Sequence, residues 1–229
     1  MLRDRRAYSI LATWIGAGVL DAAAMSALGD EMADRFADPE IQARTFAPLI
    51  LDSIVSAGGF NPRWVEAFTQ WYPHETDLRG HDPRLGWLHA VAHGADLLAT
   101  FGRCPQVAPE EMLALAALRL LTRTDHVLRD QEEDRLAHAM ALTLTRPELS
   151  VDSAVGWLSP IKDDFAAGVP GPIPPYASNT MRTLRVLYVL ADRGVRPGWR
   201  SGSPTAIPNR TIIKDQLAAV LALIAPITG

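Results

Sequence analysis

The chain has 229 residues, enough to bury a sizeable core, and is 48% hydrophobic and 21% charged, the balance of an ordinary globular protein. Its formal net charge is −4 and it has no basic cluster, which argues against a nucleic-acid partner. One cysteine, Cys104, excludes an internal disulfide framework and fits a reducing cytoplasm.

Arg3, Arg5 and Arg6 precede an apolar run from Ala7 to Leu28, an arrangement with the outline of a signal peptide. Asp4 sits among the arginines and Asp21 interrupts the run, while Ile10, Leu11, Trp14 and Ile15 recur at helical spacing. The expectation is a scaffold helix from about Arg5 to Ile15, with no membrane segment. Gly16 and Gly18 loosen the chain, and a second helix covers about Leu20 to Phe36. Asp38-Pro39 is a helix-start signal. The third helix carries Ile41, Leu49, Leu51, Ile54 and Val55, with Pro48 as a kink point and Gly58-Gly59 as its end. Asn61-Pro62 caps a short helix with Trp64, Val65, Phe68 and Trp71. An irregular polar link follows from Tyr72 to Leu85, holding Asp77, Arg79, Gly80, His81, Asp82 and Pro83.

The link leads into the stretch Gly86 to Leu98, read as a central helix. At about 100° per residue, His89 and His93 share a face, and Asp96 returns to within roughly 20° of His89. Two imidazoles and a carboxylate on one stripe suit zinc, iron or manganese, with positions left for water or substrate. Ala90 stands where a His-Glu-x-x-His protease needs its general base, and no third histidine follows at fixed spacing. Four-apart histidines on one helix cannot take opposite axial positions on a heme. The alternatives are a polar, hydrogen-bonded pocket without metal, or a pair of buried structural histidines. Gly94 with Ala90, Ala92 and Ala95 points to a second helix packed closely here.

Beyond Gly102 the chain breaks at Pro105 and Pro109, and Pro109-Glu110-Glu111 opens a strongly apolar helix, its acids placed at the positive end of the macrodipole. Asp125-His126 is the reverse of the pair that names the His-Asp phosphohydrolases. Glu132, Glu133, Asp134, Arg135 and His138 open the next helix. Its acids are an ordinary acidic first turn, unless Glu133 or Asp134 meets the central helix and completes a site. A further helix spans about Val151 to Ala167, Gly168 to Pro175 is a linker or ordered loop, and Met181, Leu184, Leu187, Tyr188 and Leu190 mark another helix bearing Arg182 and Arg185. Gly194 to Pro208 is irregular, and Thr211 to about Ile224 forms a capping helix. No segment alternates with period two, and no Asn-Gly or Asp-Gly hairpin signal occurs. The expectation is a single all-α domain over residues 1–229, with nine or ten helices in antiparallel pairs as a HEAT/armadillo-like array of degenerate repeats.

Asp77-Leu78-Arg79-Gly80, followed by Gly86-Trp87-Leu88-His89-Ala90-Val91-Ala92-His93-Gly94-Ala95-Asp96, resembles a bacterial family known as domain of unknown function 2785. Glu133-Asp134-Arg135-Leu136-Ala137 is similar to that family's second motif, and Asn179 with Leu184 to Tyr188 to its C-terminal one. Leu2-Arg3-Asp4 with Tyr8 and Trp14 is similar to its early helix. The resemblance implies an all-helical bacterial protein with one polar cluster, and a helix upstream of this opening. It supplies no reaction. The matched polar residues are Asp77, Arg79, His89, His93, Asp96, Glu133, Asp134 and Arg135. Two functions of different kinds follow. One is a site for a small molecule or a divalent metal, with hydrolysis by a metal-activated water as its catalytic form, or a histidine–carboxylate base without metal, and Arg79 or Arg135 holding an anionic group. The other is a non-enzymatic scaffold for a protein partner, its polar residues serving as links between helices.

Overall fold

The computed structural model describes residues 7–169, 171–198, 202–225 and 227. The basic opening with Leu2, Arg3, Asp4, Arg5 and Arg6, where the first helix was expected to start, lies outside them. Among the described residues the chain forms eleven α-helices. They are α1 (Tyr8–Gly16), α2 (Ala22–Asp34), α3 (Ile41–Ser56), α4 (Pro62–Trp71), α5 (Ala90–Arg103) and α6 (Pro109–Leu121), then α7 (Glu132–Thr143), α8 (Val151–Gly156), α9 (Ser159–Ala166), α10 (Pro175–Arg193) and α11 (Arg210–Ala222).

Local chemistry sets many of the boundaries. Asp21, the charge that interrupts the first apolar run, is the N-cap of α2 and accepts the Ala24 N–H at 2.8 Å. Asn61 caps α4 through the Arg63 N–H at 3.1 Å, with Pro62 in the first turn. The helix expected over Val151 to Ala167 is two, because Pro160 has no N–H to continue the ladder and instead opens α9. The expected absence of strands is also corrected. His81–Asp82 (β1) pairs antiparallel with Gly86–Trp87 (β2), His81 opposite Trp87 and Asp82 opposite Gly86. Asp82 accepts the N–H groups of Arg84 and Leu85 at 2.8 and 2.9 Å, and Gly86 turns the chain at φ 78°.

Helix α5 runs antiparallel to α4. Phe68 of α4 meets Phe101 near the end of α5, while the Tyr72 hydroxyl reaches the Val91 carbonyl near its start at 2.9 Å. Helices α3, α5 and α7 run parallel to one another. Thr45 and Asp52 of α3 meet His93 and Thr100 of α5, and Gly102 near the end of α5 lies against Thr143 at the end of α7. Glu133 of α7 pairs with Arg182 of α10. This is a HEAT/armadillo-like helical array, with α3, α5, α7 and α10 as one layer.

The core lies between the layers, around Trp64, Phe68, Tyr72, Phe101 and Met112. Phe36 stacks on Trp71 at 4.8 Å and Phe68 on Tyr72 at 5.1 Å. The Tyr72 ring occupies the space a Cβ on Gly94 would need, and Thr143 does the same at Gly102. These two glycines set how closely α5 approaches its neighbours. No described helix is long and apolar enough to cross a membrane.

A candidate ligand cleft along the central helix

The central helix starts at Ala90, four residues later than expected, because Gly86 and Trp87 belong to the hairpin. His89 is its N-cap, in the left-handed region at φ 52°. His89 therefore stands before the helix, and helical spacing does not put it on the face of His93. The two rings still come together, with centroids 5.7 Å apart, because the left-handed cap turns the His89 ring back beside the first turn.

From this cap the stripe runs on through His93, Asp96, Thr100 and Arg103. All of these line one cleft of about 520 Å³. At 1.5 Å per residue, His89 to Arg103 spans roughly 20 Å. Asp52, Phe46 and Leu49 of α3 form one wall, Arg135 and His138 of α7 the other, and Tyr8 of α1 closes part of the rim.

The polar groups are fixed by specific bonds. His93 is buried and donates from Nδ1 to the Thr45 carbonyl at 2.8 Å, while Phe46 meets its ring edge-on at 5.3 Å. Both oxygens of Asp96 are held by Arg135, one by its Nε at 2.9 Å. Burial raises the Asp96 carboxyl above its ordinary value, and Arg135 offsets part of that. Thr100 donates its hydroxyl to Asp52. Burial pushes the Asp52 carboxyl up to about 6, against that hydrogen bond, and the charge of Asp96 adds to the rise. Burial likewise raises the Tyr8 phenol. His138 bonds the Arg196 carbonyl through Nε2 at 2.8 Å, and its burial holds the imidazole below the ordinary histidine value.

The remaining expected site residues lie elsewhere. Arg79 pairs with Asp77 and Asp82 on the hairpin, outside the cleft. Glu133 is buried against Arg182 at 2.6 Å, and Asp134 is exposed. The acid that meets the central helix is Glu132, one residue earlier, because α7 begins there and turns its first side chain inward to His89. Asn179 joins the Leu128 N–H to the His126 carbonyl, and so ties α10 to the loop before α7.

Asp52, Thr100, Arg103 and His138 were not anticipated. Thr100 and Arg103 continue the stripe at helical spacing beyond Asp96, and His138 lies three residues after Arg135, so these three had a readable signal. Asp52 sits within an apolar helix and had none. Among the described residues no group of three or more His, Cys, Asp or Glu is placed to hold a metal ion. The third donor expected for zinc, iron or manganese, Asp96, is turned to Arg135.

The model of a family described as "Protein of unknown function (DUF2785)" matches residues 33–189. That span holds the cleft residues from Phe46 to His138 and more than two thirds of the chain. No curated protein and no solved structure matches the chain. The chain belongs to the DUF2785 family.

Proposed function

We propose that this DUF2785 protein binds a small polar ligand in the cleft between α3, α5 and α7. One observation carries the reading. The polar stripe of α5 from His89 to Arg103 lines an open cleft on which polar groups of α3 and α7 also converge. A pocket with convergent polar groups, one of them a carboxyl moved far from its ordinary value, has the character of a binding site.

The scaffold reading accounts for some of these groups. His93, Asp96 and Asp52 each bond a neighbouring helix, as structural links would. It gives no reason for the open volume, nor for burying a carboxyl at the expense of its charge. The metal-dependent hydrolase has less behind it, since Arg135 must release Asp96 before that carboxylate can ligate an ion.

A thermal-shift screen with small polar compounds tests the proposal. A ligand at a hundred times its Kd stabilises by about 2.7 kcal/mol. That raises Tm by roughly 5 to 10 °C in a chain of this size. Two variants report the location: Ala99→Phe fills the cleft wall, and Arg103→Glu reverses an exposed charge at its end. Compounds that stabilise the wild type should lose their effect in both. Equal shifts in all three proteins would place the binding elsewhere and refute the reading.

A further inference from the structure

Glu132 is fully buried at the first position of α7. Its Oε2 accepts the Asp130 N–H at 2.8 Å, and its Oε1 faces Nδ1 of His89 at 3.5 Å. Both of these facing atoms are sealed from solvent and neither has a hydrogen-bond partner, so at 3.5 Å they stand as a charge pair at the edge of bonding distance. Burial acts to raise the Glu132 carboxyl, yet it lies below its ordinary value, because the His89 imidazole and the backbone N–H groups of Glu132 and Asp130 favour the ionised form. A carboxylate charge thus sits inside the protein with an imidazole as its charge partner and, among the described residues, no arginine or lysine paired to it. Buried charge of this kind is retained at a cost unless a cation meets it. His89 is placed to become that cation.

Other constraints converge on the same ring. His89 occupies the left-handed region at φ 52°, a conformation that strains most side chains and that clusters at functional sites. The Trp87 indole stacks flat on the imidazole, with centroids 4.4 Å apart and 4° between the planes. The His89 N–H donates to the Arg79 carbonyl at 3.2 Å, and the next residue, Gly80, has no Cβ because one would strike Glu132 and Asp130. The loop therefore presses on the carboxylate while its backbone holds the histidine. Nδ1 is the ring nitrogen turned to Glu132, which leaves Nε2 as the other, on a residue that lines the cleft.

We infer that His89 is the proton acceptor of the cleft and that Glu132 is its positioning residue. The ligand class follows: a polar molecule that sets a hydroxyl, an N–H or a water it has bound against Nε2. In the transfer step the Nε2 lone pair takes that proton, and the donor oxygen or nitrogen keeps the electron pair of the broken bond. Nδ1 keeps its own proton, and the imidazolium that forms is matched by the Glu132 carboxylate. The inference rests on the cleft reading for the presence of a ligand, but not for the state of the ring.

The test is nitrogen NMR of the histidine-labelled full chain, recorded about two pH units above the ordinary histidine value of about 6.5. In the wild type, His89 should be the Nδ1–H tautomer by about tenfold or more, the ratio given by one hydrogen bond to a charged group. Glu132→Met, which removes the acceptor, should reduce that to a mixture. Glu132→Gln, which keeps one oxygen, should restore it, and a merely structural carboxylate would not produce this ordering. A wild-type His89 that carries its proton on Nε2 overturns the inference without any variant. So does a tautomer ratio unchanged in Glu132→Met. Either failure leaves the compound screen standing, and a failed screen leaves the tautomer result standing, so the two readings fall separately.

Discussion

Replacing Asp52 by Asn should stabilise the protein at neutral and alkaline pH. The folded carboxyl is pushed from an ordinary 3.8 up to about 6, chiefly by burial, with the Asp96 charge adding to the rise and the Thr100 hydroxyl, Arg103 and Arg135 opposing it. A carboxyl with a raised folded pKa binds more protons in the native state. It therefore contributes stability below about 3.8, and loses that contribution as pH rises through about 6. Two units at 1.36 kcal/mol each make the ionised form destabilising by about 3 kcal/mol at pH 8. Asn keeps an oxygen for the Thr100 hydroxyl and carries no charge to desolvate. At roughly 2 to 4 °C per kcal/mol, Tm should rise by about 6 to 12 °C at pH 8. At pH 3, where the wild-type carboxyl is already neutral, the difference should vanish. Urea denaturation of both proteins across pH 3 to 8 measures it, and taking the difference between them cancels the other titrating groups. A variant less stable than wild type at pH 8, or a difference that does not change with pH, would refute the reasoning. A residue retained at such a cost fits a site that trades stability for binding.

Three further outcomes follow from named contacts. Arg135→Met leaves Asp96 without its counter-ion; the two side chains are 25% and 23% exposed, so the loss should be about 2 kcal/mol, below the range for fully buried pairs, and adding Asp96→Asn should recover most of it in a denaturant cycle. Gly94→Ala places a methyl group against the Tyr72 ring and should lower stability by about 1 to 3 kcal/mol, read as a fall in the denaturation midpoint. His138 is held below the ordinary histidine value by burial, so the unfolded chain binds its proton first and stability falls as pH drops below about 6.5. His138→Gln, compared with wild type at pH 7.5 and 5, should remove that part of the acid sensitivity, and equal losses in both proteins would contradict it.

Much of the fold was written in local signals. Asn61-Pro62 and Pro109 mark true helix starts, and the small residues around Gly94 mark a close approach, made by the Tyr72 ring at the end of α4. The hairpin escaped because its turn is built by Asp82 side-chain bonds and a left-handed Gly86, not by an Asn-Gly or Asp-Gly pair. Losing the hairpin displaced the helix start, and with it the reason for the placement of His89. The cluster itself was legible where helical spacing alone decides it, as for His93 and Asp96. Partners were not. Which of Glu132, Glu133 and Asp134 turns inward depends on where α7 begins, and its cap, Gln131, is left-handed at φ 67°. Asp52 belongs to a helix about fifty residues away, joined to the cleft by tertiary packing that local periodicity does not encode.

The central claim is that the cleft along α5 is a ligand site, and soaking crystals of the protein with a set of small polar fragments tests it most directly. The account predicts density between α3, α5 and α7, with fragment donors or acceptors on His89, Thr100 or Arg103. Fragments that collect on other surfaces while this cleft holds only water would contradict it.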